Sequence, residues 1–352
     1  MSRRALCLVV LLWVLTPGYD FFSCKSDRGE NVDWYVGYKL PYIKLKSTVV
    51  SSGEQFYYVD SRSGSEASNW TLSPFNISDP NGAVGSTLGQ LYAGKNDPAV
   101  FYLVINDQQT NRTDSYRGHT KSVLYFNGVQ GFLLAHSVPK LVDLRNPRYT
   151  YPKTGMRNGQ SFMCITFNAT ALKDLGKYLL YTMPSIVNSQ LPTQFGVKYL
   201  DLQRVIAGRS IEKGANTTAI LKMSSLNGQK FVFFGKHKKF GKDLYADLVA
   251  PSVNGTLYTE TWLVGSGDLK ASCAVKQKVY NVRTLQFGRY SFSSSKDHSK
   301  WAVSDSARLP VFCVGDINRQ ASQFNRAGGA ICMKNPGLWR LYRGIIDEAE
   351  RC

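Results

Sequence analysis

Short runs of apolar, β-branched and aromatic residues recur along the chain, at 99–105, 122–126, 131–136, 162–167, 231–234, 258–264 and 309–314. Runs of this length between polar segments predict buried β-strands. Helix-like stretches lie between them, notably 171–188 and 338–350. Strands mixed with helices through the whole length predict an α/β sandwich rather than an all-β fold. With 352 residues the chain can bury a sizeable core, as one large domain or as two fused halves. No Pro/Ser-rich linker or long charge block divides it, so the halves are expected to pack together.

The first 18 residues break this pattern. Arg3 and Arg4 precede an apolar stretch from Ala5 to Leu15, closed by Thr16, Pro17 and Gly18, which is the layout of a cleaved secretory signal. The apolar core falls short of the ~20 residues that a spanning helix needs, and no later stretch approaches that length, so no membrane span is expected. Export changes how the cysteines are read. Cys7 leaves with the signal, and Cys24, Cys164, Cys273, Cys313, Cys332 and Cys352 remain, an even set that predicts disulfides although spacing alone does not choose the pairing. No CxxC or Cys/His cluster suggests zinc, and neither a metal nor a cofactor is expected. Sequons at Asn69, Asn76, Asn111, Asn168, Asn216 and Asn254 are candidate N-glycosylation sites.

The formal charge of +18 falls to +16 once Arg3 and Arg4 are removed. A balance this basic favours a polyanionic partner, held by counterion release and therefore weakened by salt. Charge does not by itself single out nucleic acid.

The four histidines sharpen the picture. Three of them have a lysine two positions later: His119-Thr-Lys121, His237-Lys-Lys239 and His298-Ser-Lys300. Spacing therefore decides nothing, but context does. His119 leads into the apolar run Val123-Leu-Tyr-Phe126, and His298 sits in Asp297-His-Ser-Lys-Trp-Ala-Val303. On a strand, residues two apart share a face, so each motif aims an imidazole and an ammonium at one point and outlines a phosphate cradle. His237 lies in the basic run Lys236-His-Lys-Lys-Phe-Gly-Lys242, which reads as a solvated face or a backbone-phosphate contact. His136, on its own residues, reads as a satisfied strand histidine.

Cleaving a phosphodiester without a metal needs a nucleophile, a proton for the leaving oxygen and positive charge on the phosphoryl oxygens. Two histidines and two lysines supply all three. One neutral imidazole attacks phosphorus to give a phosphohistidine; the other, as imidazolium, protonates the departing 5′-oxygen and later activates water. Opposite protonation states favour acidic to mildly acidic pH, near or below the ordinary imidazole value of ~6.5. A lone histidine is more often an ordinary buried or surface residue; here two motifs recur.

These residues resemble the deoxyribonuclease II family. Beyond the two His-x-Lys motifs, the likeness runs through Val32-Asp-Trp-Tyr-Val-Gly-Tyr-Lys-Leu-Pro41, Gly82-Ala-Val-Gly85, Asn106-Asp107, Arg117-Gly-His-Thr-Lys121, Gly131-Phe-Leu-Leu-Ala-His-Ser-Val-Pro139, Lys239-Phe-Gly-Lys-Asp-Leu-Tyr245 and Asp297-His-Ser-Lys-Trp-Ala302. It covers nearly the whole mature chain. The resemblance implies a phospholipase D-like α/β fold of two pseudo-symmetric halves, here 19–190 and 191–352, each donating one motif to a central cleft. It implies metal-independent endonucleolytic cleavage of DNA to 3′-phosphate and 5′-hydroxyl ends, in lysosomes or after secretion; sequence preference is expected to be weak because no base-reading helix motif is visible. In that family pattern His119 is the nucleophile, His298 the general acid and base, Lys121 and Lys300 the phosphate-binding residues, and His136 a secondary active-site residue. It also implies disulfides Cys24–Cys164, Cys273–Cys352 and Cys313–Cys332, and it leaves room for a homodimer that clamps one duplex.

The wider phospholipase D pattern places an Asp five residues after the lysine; Asp305 meets this in the second copy, but Phe126 stands there in the first. That departure weighs against lipid hydrolysis. A phospholipase D-like phosphodiesterase and an inactive secreted nucleic-acid-binding glycoprotein are the alternatives, along with a metal-dependent nuclease that excess chelator would silence. Sequence does not choose between Asp297 and Asp305 as the residue that orients His298.

Overall fold

The computed structural model describes residues 21–352 apart from 64, 65 and 68; the signal read at 1–18 lies outside the described residues. In chain order the first part carries strands β1 (Trp34–Lys39), β2 (Phe56–Asp60) and β3 (Thr71–Leu72), helix α1 (Ala83–Gly94), strands β4 (Phe101–Asn106), β5 (Lys121–Phe126), β6 (Gln130–His136) and β7 (Gln160–Asn168), helix α2 (Leu172–Thr182) and strand β8 (Ile186–Gln190). These strands form one sheet in the order β8-β4-β5-β6-β7-β1-β2-β3. Short helices α3 (Thr193–Lys198) and α4 (Leu200–Ile206) lead on to strands β9 (Thr218–Ser224), β10 (Lys230–Lys236), β11 (Leu257–Thr261), β12 (Val279–Phe287), β13 (Tyr290–Ser293), β14 (Lys300–Ser304), β15 (Val311–Gly315) and β16 (Gly328–Lys334). They form a second sheet in the order β9-β10-β16-β15-β14-β11-β12-β13, and strand β17 (Ile346–Glu350), which follows helix α5 (Pro336–Gly344), pairs with β12. The fold is mixed α/β, built mostly of sheet.

The two sheets place their motif strands alike. β5, which begins at Lys121, lies between β4 and β6; β14, which begins at Lys300, lies between β11 and β15. Each is followed along the chain by two antiparallel neighbours and a helix, β5-β6-β7-α2 and β14-β15-β16-α5.

Alternation explains why these segments are strands and where they face. The largest buried cluster takes Leu103, Leu124 and Ile165 from the first sheet and Phe233, Val303 and Phe312 from the second, with Leu175 and Leu179 of α2 and Leu338, Leu341 and Tyr342 of α5. α2 itself lies against β9 and β10. Burying a leucine or phenylalanine side chain contributes about 1.5–3 kcal/mol, and because this core draws on both sheets, neither sheet can bury its apolar face alone.

Both helix readings overran. The stretch 171–188 breaks after Thr182: Met183 takes a left-handed backbone (φ 47°), Pro184 follows, and the chain continues as β8. The stretch 338–350 is helix only to Gly344, after which Ile346 begins β17. α5 also starts two residues earlier than read, because Asn335 accepts a hydrogen bond from the Leu338 amide and Pro336 occupies the first turn. The run 258–264 is strand only to Thr261, since Trp262 has φ 34° and leaves the pleat.

Disulfides join Cys24 to Cys164, Cys273 to Cys352 and Cys313 to Cys332, the pairs that the resemblance implies. Cys313 and Cys332 lie directly opposite on β15 and β16. All six sequon asparagines are exposed. No helix among the described residues is long and apolar enough to cross a membrane.

Candidate active site

Each motif histidine stands two residues before a strand, not within it, because β5 starts at Lys121 and β14 at Lys300. Strand alternation therefore does not aim these imidazoles. Hydrogen bonds from the opposite sheet's loops do.

His119 belongs to the first sheet's β4–β5 connection, yet its amide donates to the Ala327 carbonyl at 2.9 Å and its Nδ1 lies 2.9 Å from Gln323 Oε1, both beside the second sheet. Gly118 makes this approach feasible: a Cβ there would fall 2.0 Å from the Thr182 carbonyl oxygen. The arrangement at His298 is reciprocal. Its amide donates to the Gly159 carbonyl at 2.9 Å, and its Nδ1 lies 2.9 Å from the Ser137 carbonyl oxygen, with Gln160 Oε1 at 3.4 Å. A carbonyl only accepts, so Nδ1 of His298 carries the proton, and the Gln323 oxygen holds His119 in the same tautomer. Both Nε2 atoms are left with lone pairs.

Around these imidazoles the charges are dense and dry. Lys121 Nζ donates to Asp107 Oδ1 at 2.5 Å, and the other Asp107 oxygen accepts from Arg326 at 3.1 Å and lies 3.9 Å from His119 Nε2. Lys300 Nζ donates to the His298 carbonyl at 2.7 Å. His119, Lys121, His298 and Lys300 are all buried. Burial, then the neighbouring lysines, hold His119 and His298 well below the usual imidazole range, and His119 is among the groups acting on His298. Burial lowers Lys121 and brings Lys300 to about 7, with Lys121 adding to the effect on Lys300. Asp316, at the end of β15, is pushed up to about 7 by burial. The site thus holds two neutral imidazoles beside two crowded lysines, of which Lys300 gains its charge only as pH falls through about 7.

His136 ends β6 beside this cluster. With Lys121 and Asp316 it lines an internal cavity of about 20 Å³, room for roughly one water molecule. Its Nδ1 accepts from the Val138 amide at 3.2 Å, so it presents an Nε2–H, the opposite tautomer to the other two. Burial lowers it to about 3, so it is a neutral donor. His237 is not on a solvated face: it is buried, its Nδ1 accepts from the Lys239 amide at 3.2 Å, and it caps the 3-10 turn Lys238–Phe240. A basic run looks solvated in sequence, but here its histidine satisfies the backbone and Lys236 is buried, donating to the Lys242, Gln323 and Phe324 carbonyls, while Lys239 and Lys242 are exposed.

Neither acidic candidate orients His298. Asp297 accepts from the Tyr38 hydroxyl and from the amide and hydroxyl of Ser299, while Asp305 is exposed beyond the end of β14. Trp262 instead packs edge-on against His298, ring centroids 4.7 Å apart. Gln323, Arg326 and Asp316 carry no local sequence signal; Asp107 and Ser137 lie in segments that resemble the family, but nothing in those segments marks their roles. Among the described residues no three His, Cys, Asp or Glu side chains are grouped as a metal ion requires. A surface groove of about 670 Å³ on the outer side of β9, β10 and β16 contains none of the histidines.

Comparison with known proteins agrees across the chain. A family model described as Deoxyribonuclease II matches residues 23–352. Cell-death-related nuclease 7 of Caenorhabditis elegans is 36% identical over 99% of this chain and 93% of its own length. Deoxyribonuclease-2 of the same nematode is 33% identical over 98% of each, and human Deoxyribonuclease-2-beta is 33% identical over 100% of this chain and 98% of its own. Of solved structures, a polyphosphate kinase from Porphyromonas gingivalis overlaps at TM-score 0.27 and 11% identity, covering 63% of this chain and 31% of the kinase, too little to carry an argument.

Proposed function

The chain belongs to the deoxyribonuclease II family, and from that membership we propose that it is a metal-independent acid endonuclease that hydrolyses DNA to 3′-phosphate and 5′-hydroxyl ends. The observation that carries this reading is the pair of imidazoles with both Nδ1 atoms held by acceptors and both Nε2 atoms free, flanked by two buried lysines. His119 Nε2 attacks phosphorus, forming an N–P bond. The P–O5′ bond breaks, and its electron pair takes the proton from Nε2 of the His298 imidazolium. His298, now neutral, takes a proton from water; the water oxygen displaces His119, and the 3′-phosphate departs. Lys121 and Lys300 carry the negative charge of the phosphoryl oxygens, and the neutral His136 adds a donor.

The like placement of β5 and β14 supports a phospholipase D-like arrangement of two halves, 19–190 and 191–352, with the boundary between β8 and α3. The reciprocal hold on the histidines adds that each half completes the other's motif. Three disulfides and six exposed sequons support export, to lysosomes or out of the cell, and the same exposure supports glycosylation at the six asparagines. Weak sequence preference and assembly as a homodimer belong to this proposal.

The test is nicking of supercoiled plasmid at about pH 5 and about pH 7.5 in excess chelator, with His119→Ala and His298→Ala beside the wild type. Cutting at the acid pH by the wild type alone supports the two-histidine endonuclease. Cutting by both variants at the wild-type rate would make the motifs bystanders.

A further inference from the structure

The basic run around His237, set aside from catalysis, meets the loop that leads into the first motif. Lys238 Nζ lies 3.3 Å from the centroid of the Tyr116 ring, and Tyr116 is 67% exposed, an unusual position for a large aromatic side chain. Lys238, then Arg117 and Lys239, hold the Tyr116 phenol below its ordinary pKa, so positive charge gathers near it. Among the described residues no side chain of the three pairs with a carboxylate; the Arg117 guanidinium donates to the Gly208 carbonyl. The exposed ring is held in place by design of the loop. Asp114 accepts from the amides of Tyr116 and Arg117, and Arg326 donates to the carbonyls of Asp114 and Arg117 while pairing with Asp107. The platform is thus tied to the residues that hold Lys121.

Tyr116 precedes His119 by three residues, a reach of at most about 10 Å. An exposed aromatic ring with cations nearby that have no carboxylate partner is what single-stranded nucleic acid requires: every base has a π-face to stack, and every phosphate a charge to pair. We propose that Tyr116, Lys238, Lys239 and Arg117 form a strand-gripping platform, on which a base one or two nucleotides from the scissile phosphate stacks while the adjoining phosphates meet the three cations. The identity of the polyanion rests on the nuclease reading; the grip itself does not depend on cleavage. On this account the enzyme engages a locally unpaired strand beside the cut.

The experiment measures binding of a cleavage-resistant phosphorothioate oligonucleotide by fluorescence anisotropy, single-stranded and duplex, across a salt series. Tyr116→Leu is expected to weaken single-strand binding about tenfold and Tyr116→Phe to restore it. Lys238→Ala with Lys239→Ala should lower the slope of log Kd against log salt by about 1.4, roughly 0.7 for each lost phosphate contact. Lys222→Ala with Lys230→Ala, on the outer face of β9 and β10, removes the same charge and should leave the slope in place. Wild-type binding by Tyr116→Leu, an equal loss on duplex, or the same slope change in both lysine pairs overturns the platform. Failure of the plasmid test with these binding losses intact would instead overturn the nuclease chemistry.

Discussion

Lys300 is the clearest case of function set against stability. It is 2% exposed, and burial, then Lys121, bring its pKa from 10.5 to about 7. A drop of that size corresponds to about 5 kcal/mol of penalty on the charged form. The sign follows from which state holds the proton. Below pH 7 the ammonium is charged in folded and unfolded chains alike, so the full penalty weakens the fold. Above 7 the folded chain sheds the proton, the penalty shrinks by about 1.4 kcal/mol per pH unit, and it vanishes near 10.5. Lys300→Met fills a similar volume without a charge, at the loss of the bond to the His298 carbonyl. That loss and any packing change weigh equally at every pH. The advantage of Lys300→Met over the wild type should therefore be greater at pH 6 than at pH 9 by about 2.7 kcal/mol, whatever its absolute size. Denaturant unfolding at the two pH values, with disulfides intact, measures it. A difference below about 1 kcal/mol, or one of opposite sign, refutes the picture of a desolvated ammonium. The same variant should lose DNA cleavage.

Two further perturbations probe how the first histidine is held. Gln323→Leu removes the acceptor at Nδ1 of His119 and should lower kcat about 10- to 100-fold with KM little changed, whereas Gln323→Glu should favour the imidazolium and move the acid limb of the kcat/KM profile upward; unaltered kinetics in both would mean that the tautomer is not set there. Gly118→Ala drives a methyl to 2.0 Å from the Thr182 oxygen and 3.2 Å from the Ala327 oxygen, which accepts from the His119 amide, so a loss of about 1–3 kcal/mol in stability together with activity is expected. Retention of the wild-type melting temperature and rate by this variant would contradict the close packing.

The fold was most legible where strands are short and nearly all buried: the runs at 99–105, 122–126, 131–136 and 162–167 each coincide with such a strand to within two residues. Local pattern failed where one residue redirects the chain. Pro184 after a left-handed Met183 converts the end of an apparent helix into β8, and the turn at Ile345 does the same before β17. The motif histidines were legible as recurrent pairs. Their partners were not, because Gln323 lies 204 residues from His119 and Ser137 lies 161 residues from His298, and a contact between sheets leaves no spacing to read. His237 misled for the opposite reason: its neighbours advertise solvent, while its own ring caps a turn.

An acid enzyme should hold a ready imidazolium, yet burial and two lysines keep both histidines neutral. The groups that titrate near the working range are Lys300 and Asp316, each at about 7. As pH falls through 7, Lys300 gains a positive charge and Asp316 loses a negative one, so the site becomes more cationic before either histidine changes. That draws the phosphodiester in. Its anionic oxygens then offset the lysines that held the imidazoles down, and water leaves with it, so the attraction between phosphate and an imidazolium is felt at low effective dielectric. In the proposed mechanism His298 takes its proton from acidic solvent only once substrate is bound, while His119, kept neutral by burial and by Lys121, Lys300 and Arg326, remains free to attack. Acid dependence in this proposal arises from charging the cradle first and the general acid second, and the expected fall in cutting between about pH 5 and about pH 7.5 would report both.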